Sequence, residues 1–147
     1  MRLKKIVLSL MTLSILGLAL ALIVFNKQPV EGASCRIRGF QLLVNQGPTQ
    51  GMLLAGTLSL TSDYNGALTG GLGPADGSFY IKATGTVNGY ALNLAFDLGY
   101  SGRTQTYILG TGTLSKPFPD CNGMTGGLLV GPQKGDSGIW SVQDDSK

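Results

Sequence analysis

The fold is decided by the stretch FYIKATGTVNGYALNLAFDLG, residues 79–99. Asn88 and Gly89 form a two-residue hairpin signal, because both residue types tolerate the positive φ angles of a tight turn between antiparallel strands. With these two residues as the loop, one face is apolar or glycine throughout; its pairs are Val87 with Tyr90, Gly85 with Leu92, Ala83 with Leu94, Ile81 with Phe96, and Phe79 with Leu98. The opposite face is mostly polar. This alternation predicts an antiparallel hairpin with one buried side.

The rest of the chain repeats the hairpin pattern. Between Met52 and Leu72 the turn is Asp63-Tyr64-Asn65-Gly66, which predicts a loop of about three to five residues with Gly66 in the left-handed region. Further strands are predicted over residues 36–44, 104–114, 123–130 and 137–142, so that about eight strands follow one another through short turns. We expect an all-β fold, a single antiparallel meander closed into a small up-and-down barrel; a β-sandwich is the alternative.

Glycine is abundant in this part of the chain. Of the 23 glycines, all but Gly17 and Gly32 follow residue 32, which is typical of a domain that turns and bends often and not of a helical one. Several fall within predicted strands: Gly56, Gly70, Gly85, Gly110, Gly112 and Gly126. Two interpretations are open. The glycines allow strong coiling and close packing against opposite side chains, or they leave part of the interior empty for a ligand.

The N-terminal residues predict export. Arg2, Lys4 and Lys5 precede an uncharged apolar run over residues 6–25, which as a helix is long enough for the ~30 Å hydrocarbon core of a bilayer. That length favours an anchor, whereas Pro29 and a cleavage position after Gly32 favour a cleaved signal. Residues 1–32 are therefore interpreted as a signal peptide or signal anchor, and residues 33–147 as the glycine-rich β domain. The cation bias of the leader places the N-terminus in the cytoplasm and the domain outside, secreted or membrane-anchored.

Charge argues against several functions. Beyond Gly32 the cations equal the aspartates in number: Arg36, Arg38, Lys82, Arg103, Lys116, Lys134 and Lys147 against Asp63, Asp76, Asp97, Asp120, Asp136, Asp144 and Asp145. A neutral domain lacks the basic stripe that drives binding to phosphate backbones, so no nucleic acid is expected as a partner. Histidine is absent from the chain, which removes the side chain most used for acid–base catalysis near pH 7.

The sequence predicts no catalytic residues, no cofactor and no metal site. Residues 135–138, Gly-Asp-Ser-Gly, resemble the nucleophile signature of chymotrypsin-like proteases, but Ser137 has no histidine to accept its proton. Asp136 is interpreted as part of a polar turn before the last strand. We expect the protein not to be an enzyme; a polar cleft uniting Lys82, Asp97 and Tyr80 would be needed for catalysis.

The two cysteines are Cys35 and Cys121. In an exported chain we expect a disulfide between them, which ties the first strand to the last third of the domain. The alternative is an acylated Cys35, as in a lipoprotein, although Gly32 stands where such signals carry a leucine. A disulfide near the seventh strand also favours the barrel, because it brings the first and the late strands together.

One stretch points to a known class of barrel. Residues 65–70, Asn-Gly-Ala-Leu-Thr-Gly, resemble a hairpin of the avidin and streptavidin barrels, and the length and strand number of the domain are similar. The resemblance implies an eight-stranded up-and-down barrel. Those barrels hold biotin with several tryptophans, whereas this chain has only Trp140, so no binding residue is carried over.

Three aromatic residues are candidates for ligand contact or core packing: Trp140, Tyr90 and Phe96. A recognition surface for an envelope peptide or glycan is a further hypothesis, formed by Tyr64, Tyr100, Tyr107, Arg36, Arg38 and Arg103. We expect a non-enzymatic binding or structural module at the cell envelope, held at the membrane through its N-terminal segment if that segment is not cleaved. The alternative is a carrier of a small apolar ligand with an avidin- or lipocalin-like cavity. The interior volume distinguishes the two.

Overall fold

The computed structural model describes residues 32–143, in which eight antiparallel strands form a closed barrel in sequence order. The strands are β1 (Ser34–Gln46), β2 (Leu53–Ser62), β3 (Ala67–Gly73), β4 (Ile81–Asn88), β5 (Ala91–Ser101), β6 (Thr104–Thr113), β7 (Gly126–Val130) and β8 (Ser137–Val142). β8 pairs with β1 and closes the sheet, so the predicted meander and barrel are confirmed. Except for Gly32, the predicted leader lies outside the described residues. Between residues 32 and 143, no helix has the length and hydropathy needed to cross a bilayer.

The central hairpin forms as predicted, but its register differs by two residues. Asn88 pairs with Ala91 and Val87 with Leu92, so the turn is centred on Gly89 and Tyr90 instead of Asn88 and Gly89. Gly89 has a φ of +59°, and no residue other than glycine has a positive φ in the described chain. A turn with glycine only at its first central position is of the II′ type, which suits a hairpin as well as I′ does. A shift of two residues keeps the paired residues of β4 and β5 on their predicted faces.

Two aromatic residues of this hairpin are therefore corrected. Tyr90 was predicted to face Val87 inside the barrel, but it is a turn residue with 54 % of its surface exposed. Phe79 was predicted to pair with Leu98, but it precedes β4 and packs over Gly71 on the outer face of β3. The second hairpin is as predicted: residues 63–66 connect β2 and β3, and Gly66 has a φ of +85°.

Large aromatic side chains fill the middle of the barrel. Trp140 stacks on Phe40 with 5.6 Å between ring centroids, and Phe40 lies 5.7 Å from Phe96. The indole N–H of Trp140 donates a hydrogen bond of 2.9 Å to the backbone carbonyl of Thr111. A Cβ atom at Gly112 would lie 2.5 Å from Cζ2 of Trp140. At this glycine, the interpretation of close packing against an opposite side chain is confirmed.

The connection between β6 and β7 covers one end of this core. It buries Leu114, Phe118 and Met124 within the core cluster, and Cys121–Gly123 form a short 3-10 helix. The predicted strand over 123–130 therefore starts later, at Gly126. The predicted disulfide joins Cys35 of β1 to Cys121, with Cα atoms 5.4 Å apart, so Cys35 is not an acylated lipoprotein cysteine. The disulfide is also consistent with an extracytoplasmic location.

Candidate ligand-binding grooves

β1 extends beyond its last partner on β8. Residues Ser34 to Ile37 pair with β2, but the first pair between β1 and β8 is Phe40 with Val142. The register of β1 shifts between Ile37 and Phe40, where Gly39 has a φ of +67°. A glycine in the left-handed region is the signature of a bulge that inserts one extra residue. The start of β1 consequently has a neighbouring strand on one side and the connection that holds Cys121 on the other.

A groove of about 430 Å³ lies along this open side of β1. Gly39 is needed at its edge, because a Cβ atom there would lie 2.7 Å from the backbone carbonyl oxygen of Gln143, whose N–H bonds to the carbonyl of Gly39. The walls combine two arginines with amide, hydroxyl and apolar groups: Arg36, Ile37, Arg38, Cys121, Asn122, Met124, Thr125, Val142 and Gln143. We call this the arginine groove.

The two arginines of the arginine groove have no ionic partner among residues 32–143. The ion pair found there joins Lys116 to Asp120 at 3.9 Å, and no carboxylate oxygen lies within 4.0 Å of Arg36 or Arg38. Both arginines are exposed. A guanidinium offers five N–H donors in a planar fork and suits carboxylate and phosphate groups in two-pronged contacts. The arginine groove therefore presents positive charge that no carboxylate of the described residues neutralises, beside neutral amide and hydroxyl groups.

A second groove, of about 370 Å³, lies on the other side of Arg36. Strand pairing aligns three hydroxyl residues across its floor, because Ser34 pairs with Thr61 and Thr61 with Thr69. Phe79 forms an aromatic wall; it packs against Gly71, where any larger residue would collide with the ring. We call this the hydroxyl groove. Arg36 lines both grooves.

The loop before β4 lies against the Arg36 guanidinium. A Cβ atom at Gly77 would lie 2.5 Å from a terminal nitrogen of Arg36, so the guanidinium lies directly against this glycine, whose φ of +93° favours glycine. In the same loop, the side-chain carboxylate of Asp76 accepts hydrogen bonds from the hydroxyl and the backbone N–H of Ser78. These bonds, together with the nearby charge of Arg36, lower the pKa of Asp76. The loop therefore holds its own acidic group ionised, while Arg36 has no ion pair with any residue from 32 to 143.

The structure separates the residues that the sequence grouped together. Trp140 and Phe96 are buried in the core, and Tyr90 is an exposed turn residue. Of the predicted recognition surface, Arg36 and Arg38 meet in the arginine groove, whereas neither groove is lined by Tyr64, Tyr100, Tyr107 or Arg103. Phe79, Asn122 and Gln143 belong to the grooves but were not predicted as site residues.

Lys82, Asp97 and Tyr80 line neither of the two grooves. Lys82 and Asp97 are paired residues on β4 and β5. The Asp97 carboxylate accepts hydrogen bonds from the Gln105 amide and the backbone N–H of Gly99. The Tyr80 hydroxyl instead donates a bond of 2.6 Å to the carbonyl of Ala55, on β2. The side chains of Asp97 and Tyr80 therefore bond to different parts of the barrel.

The strand order and closure define the class of protein: an eight-stranded up-and-down β-barrel with an apolar core that includes the stacked rings of Trp140 and Phe40. The likeness to avidin and streptavidin is one of architecture, and no close family is identified. The chain matches no protein-family model, no curated protein and no solved structure.

Proposed function

We propose that this protein is a non-enzymatic, extracytoplasmic binding module of the cell envelope, and that it holds an acidic glycan against Arg36 and Arg38. One observation carries the proposal: Arg36 belongs to both grooves and has no carboxylate oxygen within 4.0 Å among the described residues. An anionic group at Arg36 would complete contacts that the described chain leaves unmade. The leader supplies export and, if it is not cleaved, attachment to the membrane.

The groups around Arg36 favour a sugar over a peptide as the ligand. Hydroxyls from three adjacent strands face the hydroxyl groove, and hydroxyl and amide groups both donate and accept hydrogen bonds, as sugar hydroxyls require. Phe79 adds a flat apolar wall against which the C–H face of a sugar ring packs. A uronic or sialic acid type of carboxylate would account for the arginines, because charge-assisted bonds from arginine to carboxylate are strong and directional.

Calorimetric titration of the full chain tests this proposal. The probe is an oligogalacturonate, with a neutral oligosaccharide of the same length as its counterpart. We expect binding of the acidic sugar only, weakened about tenfold or more in an Arg36→Gln/Arg38→Gln variant, since a hydrogen bond to a charged group contributes about 1.5–3 kcal/mol. Arg103→Gln, a cation outside both grooves, is the matched control and should bind as the wild type does.

Three outcomes count against the proposal. Equal affinity for the neutral and acidic sugars would show that the arginines do not contribute to binding. An equal loss in Arg103→Gln makes the binding a general effect of net charge. A clear preference for an acidic peptide over the acidic sugar assigns the site to peptide recognition instead.

The carrier of a small apolar ligand is the alternative function. It requires a continuous interior cavity of about 300 Å³ or more. The stack of Trp140 on Phe40, and the contacts of Trp140 with Gly112 and Gly127, support a packed interior and so favour the binding module. Native mass spectrometry of the exported protein separates the two functions: a carrier would retain an apolar molecule, and the module would be free of one.

A further inference from the structure

An uncharged apolar band crosses the outside of the barrel. Leu109 of β6 pairs with Val130 of β7, and Leu128, two residues earlier on the same face, pairs with Ile139 of β8. Ile139 pairs with Leu43 of β1, which pairs with Leu53 of β2. Direct cross-strand neighbours therefore connect five adjacent strands. We call these residues the apolar band: Leu43, Leu53, Leu109, Leu128, Val130 and Ile139.

Most side chains of the apolar band are exposed to solvent and do not belong to the core. Leu128 has 70 % of its surface exposed and Val130 56 %, and three further members are exposed by more than two fifths: Leu53, Leu109 and Ile139. Single exposed apolar residues are ordinary on protein surfaces, but a contiguous set across five strands marks an interaction site. Each of these side chains points outward because its neighbours in the strand point into the core.

Charge is absent from the same region. β2, β6, β7 and β8 contain no Asp, Glu, Lys or Arg, and the only charged residues of β1 are Arg36 and Arg38, which lie before the bulge at Gly39. Neutral residues occupy the other outward positions of these strands beyond the bulge, such as Ala55, Tyr107, Thr111 and Gln41. An apolar centre with a neutral polar rim is the anatomy of a protein interface, where charged residues are depleted.

We propose that the apolar band is the contact surface between two copies of this chain. A second copy presents the same uncharged face, and a two-fold axis is the commonest symmetry of protein assemblies. The five strands are about 19 Å wide along the curved sheet at a spacing of ~4.8 Å. Of these strands, β7 has five residues and β6 has ten, or lengths of about 17 and about 33 Å. A face of these dimensions is of the order of the ~800 Å² that each partner buries in a standard specific interface.

The described chain enters the barrel at the end of β1 and β2 that lies away from Leu43 and Leu53. The described chain begins at Gly32, whose N–H bonds to the carbonyl of Ser62, at the end of β2. Leu53 lies at the start of β2, nine residues away, which is about 30 Å along the strand. The leader therefore joins the barrel at the far end of β1 and β2 from Leu43 and Leu53. The dimer is independent of the two grooves and of any ligand in them.

Sedimentation equilibrium of the exported protein, with whatever part of its leader it retains, tests the proposal over a concentration series. We expect a dimer for the wild type and a dissociation constant raised about 100-fold by Leu128→Asp, because the charge would be buried at the centre of the contact. The matched control is Thr84→Asp on β4, an exposed outward residue outside the band, which should leave the dimer intact. Circular dichroism and an intact disulfide confirm the fold of each variant.

The proposal is overturned if the wild type is a monomer throughout the series, whether its band is then free, covered by the leader or bound to lipid vesicles. It is also overturned if Leu128→Asp and Thr84→Asp associate equally, because the dimer would then use another surface. Val130→Asp provides a second variant at the band and should reproduce the effect of Leu128→Asp. Agreement of the two variants against the control supports the proposal.

Discussion

The carboxylate of Asp136 accepts two hydrogen bonds from Thr49, one from its backbone N–H at 2.8 Å and one from its hydroxyl at 2.7 Å. A third bond, from the backbone N–H of Gln133, completes the set. Thr49 lies in the turn after β1 and Asp136 in the turn before β8, so this buried side chain joins the two turns where the first and last strands meet. The sequence placed Asp136 in a polar turn, and its role in closing the barrel depends on a contact across 87 residues.

The Thr49–Asp136 contact makes stability depend on pH. Burial raises the pKa of Asp136, but the hydrogen bonds from Thr49 and Gln133 outweigh it, and the pKa is lowered below 3.8. The stabilisation is therefore present above about pH 4 and is lost as the pH falls through the lowered pKa of the folded state. We expect Asp136→Asn to unfold at a lower urea concentration at pH 7, with the difference from wild type shrinking towards pH 2. Thr49→Val, which removes one bond, should show a smaller difference; a gap that is constant with pH would contradict this account.

The disulfide between Cys35 and Cys121 should carry a large part of the stability. It closes a loop with a sequence separation of 86, for which the chain-entropy model gives roughly 4–5 kcal/mol. We expect the Cys35→Ser/Cys121→Ser variant to lose stability of that order in urea unfolding. The wild type measured with a reducing agent is the matched comparison. A loss of less than about 1 kcal/mol in the free energy of unfolding would contradict this expectation. It would show that the core, together with residues 114–125, stabilises the barrel without the disulfide.

Gly112 should be intolerant of a side chain only while Trp140 is present. The Cβ atom of alanine would lie 2.5 Å from Cζ2 of Trp140, and overpacking of this kind costs about 1–3 kcal/mol. We expect Gly112→Ala to destabilise the wild type by this amount and the Trp140→Phe variant by clearly less. Urea unfolding of the four proteins gives the coupling energy. If Gly112→Ala destabilised the wild type and the Trp140→Phe variant equally, the clash would not involve Trp140.

The β4–β5 turn distinguishes the observed register from the one predicted from sequence. Gly89 has a φ of +59°, so Gly89→Ala should cost about 1–2 kcal/mol from the left-handed backbone. Tyr90→Ser should change stability by less than about 0.5 kcal/mol, as an exposed turn residue does. A loss of several kcal/mol in Tyr90→Ser would instead indicate that Tyr90 faces the interior, as the sequence suggested.

The barrel could be predicted from the sequence because the alternation of inward and outward residues is preserved when the strand register is wrong by two residues. The hairpin register differed by two residues, yet Ala83, Leu94 and Phe96 remain inside, since faces repeat every second residue. The type of turn was harder, because Asn88-Gly89 and Gly89-Tyr90 both suit a tight hairpin. The physical choice between them lies in the turn geometry around Gly89 and not in hydrophobicity.

The grooves were not predictable from local pattern. They arise where β8 ends opposite Phe40 while β1 continues, which is a property of barrel closure. One signal was available: buried residues of β1 alternate from Phe40 to Leu42 and Val44, but Ile37 is three residues before Phe40, which indicates an inserted residue near Gly39. Phe79, Asn122 and Gln143 reach the grooves from segments distant in sequence, so nothing in their immediate neighbours marks them.

Because β2, β6, β7 and β8 contain no Asp, Glu, Lys or Arg, the two proposed surfaces should respond differently to added salt. Added sodium chloride screens the arginine groove and should weaken the capture of an anion there. Sulfate ions, which are excluded from protein surfaces, strengthen apolar association and should favour pairing through the band. We therefore expect a sulfate buffer to favour paired barrels with vacant grooves. A buffer of low ionic strength should favour single barrels that retain their ligand.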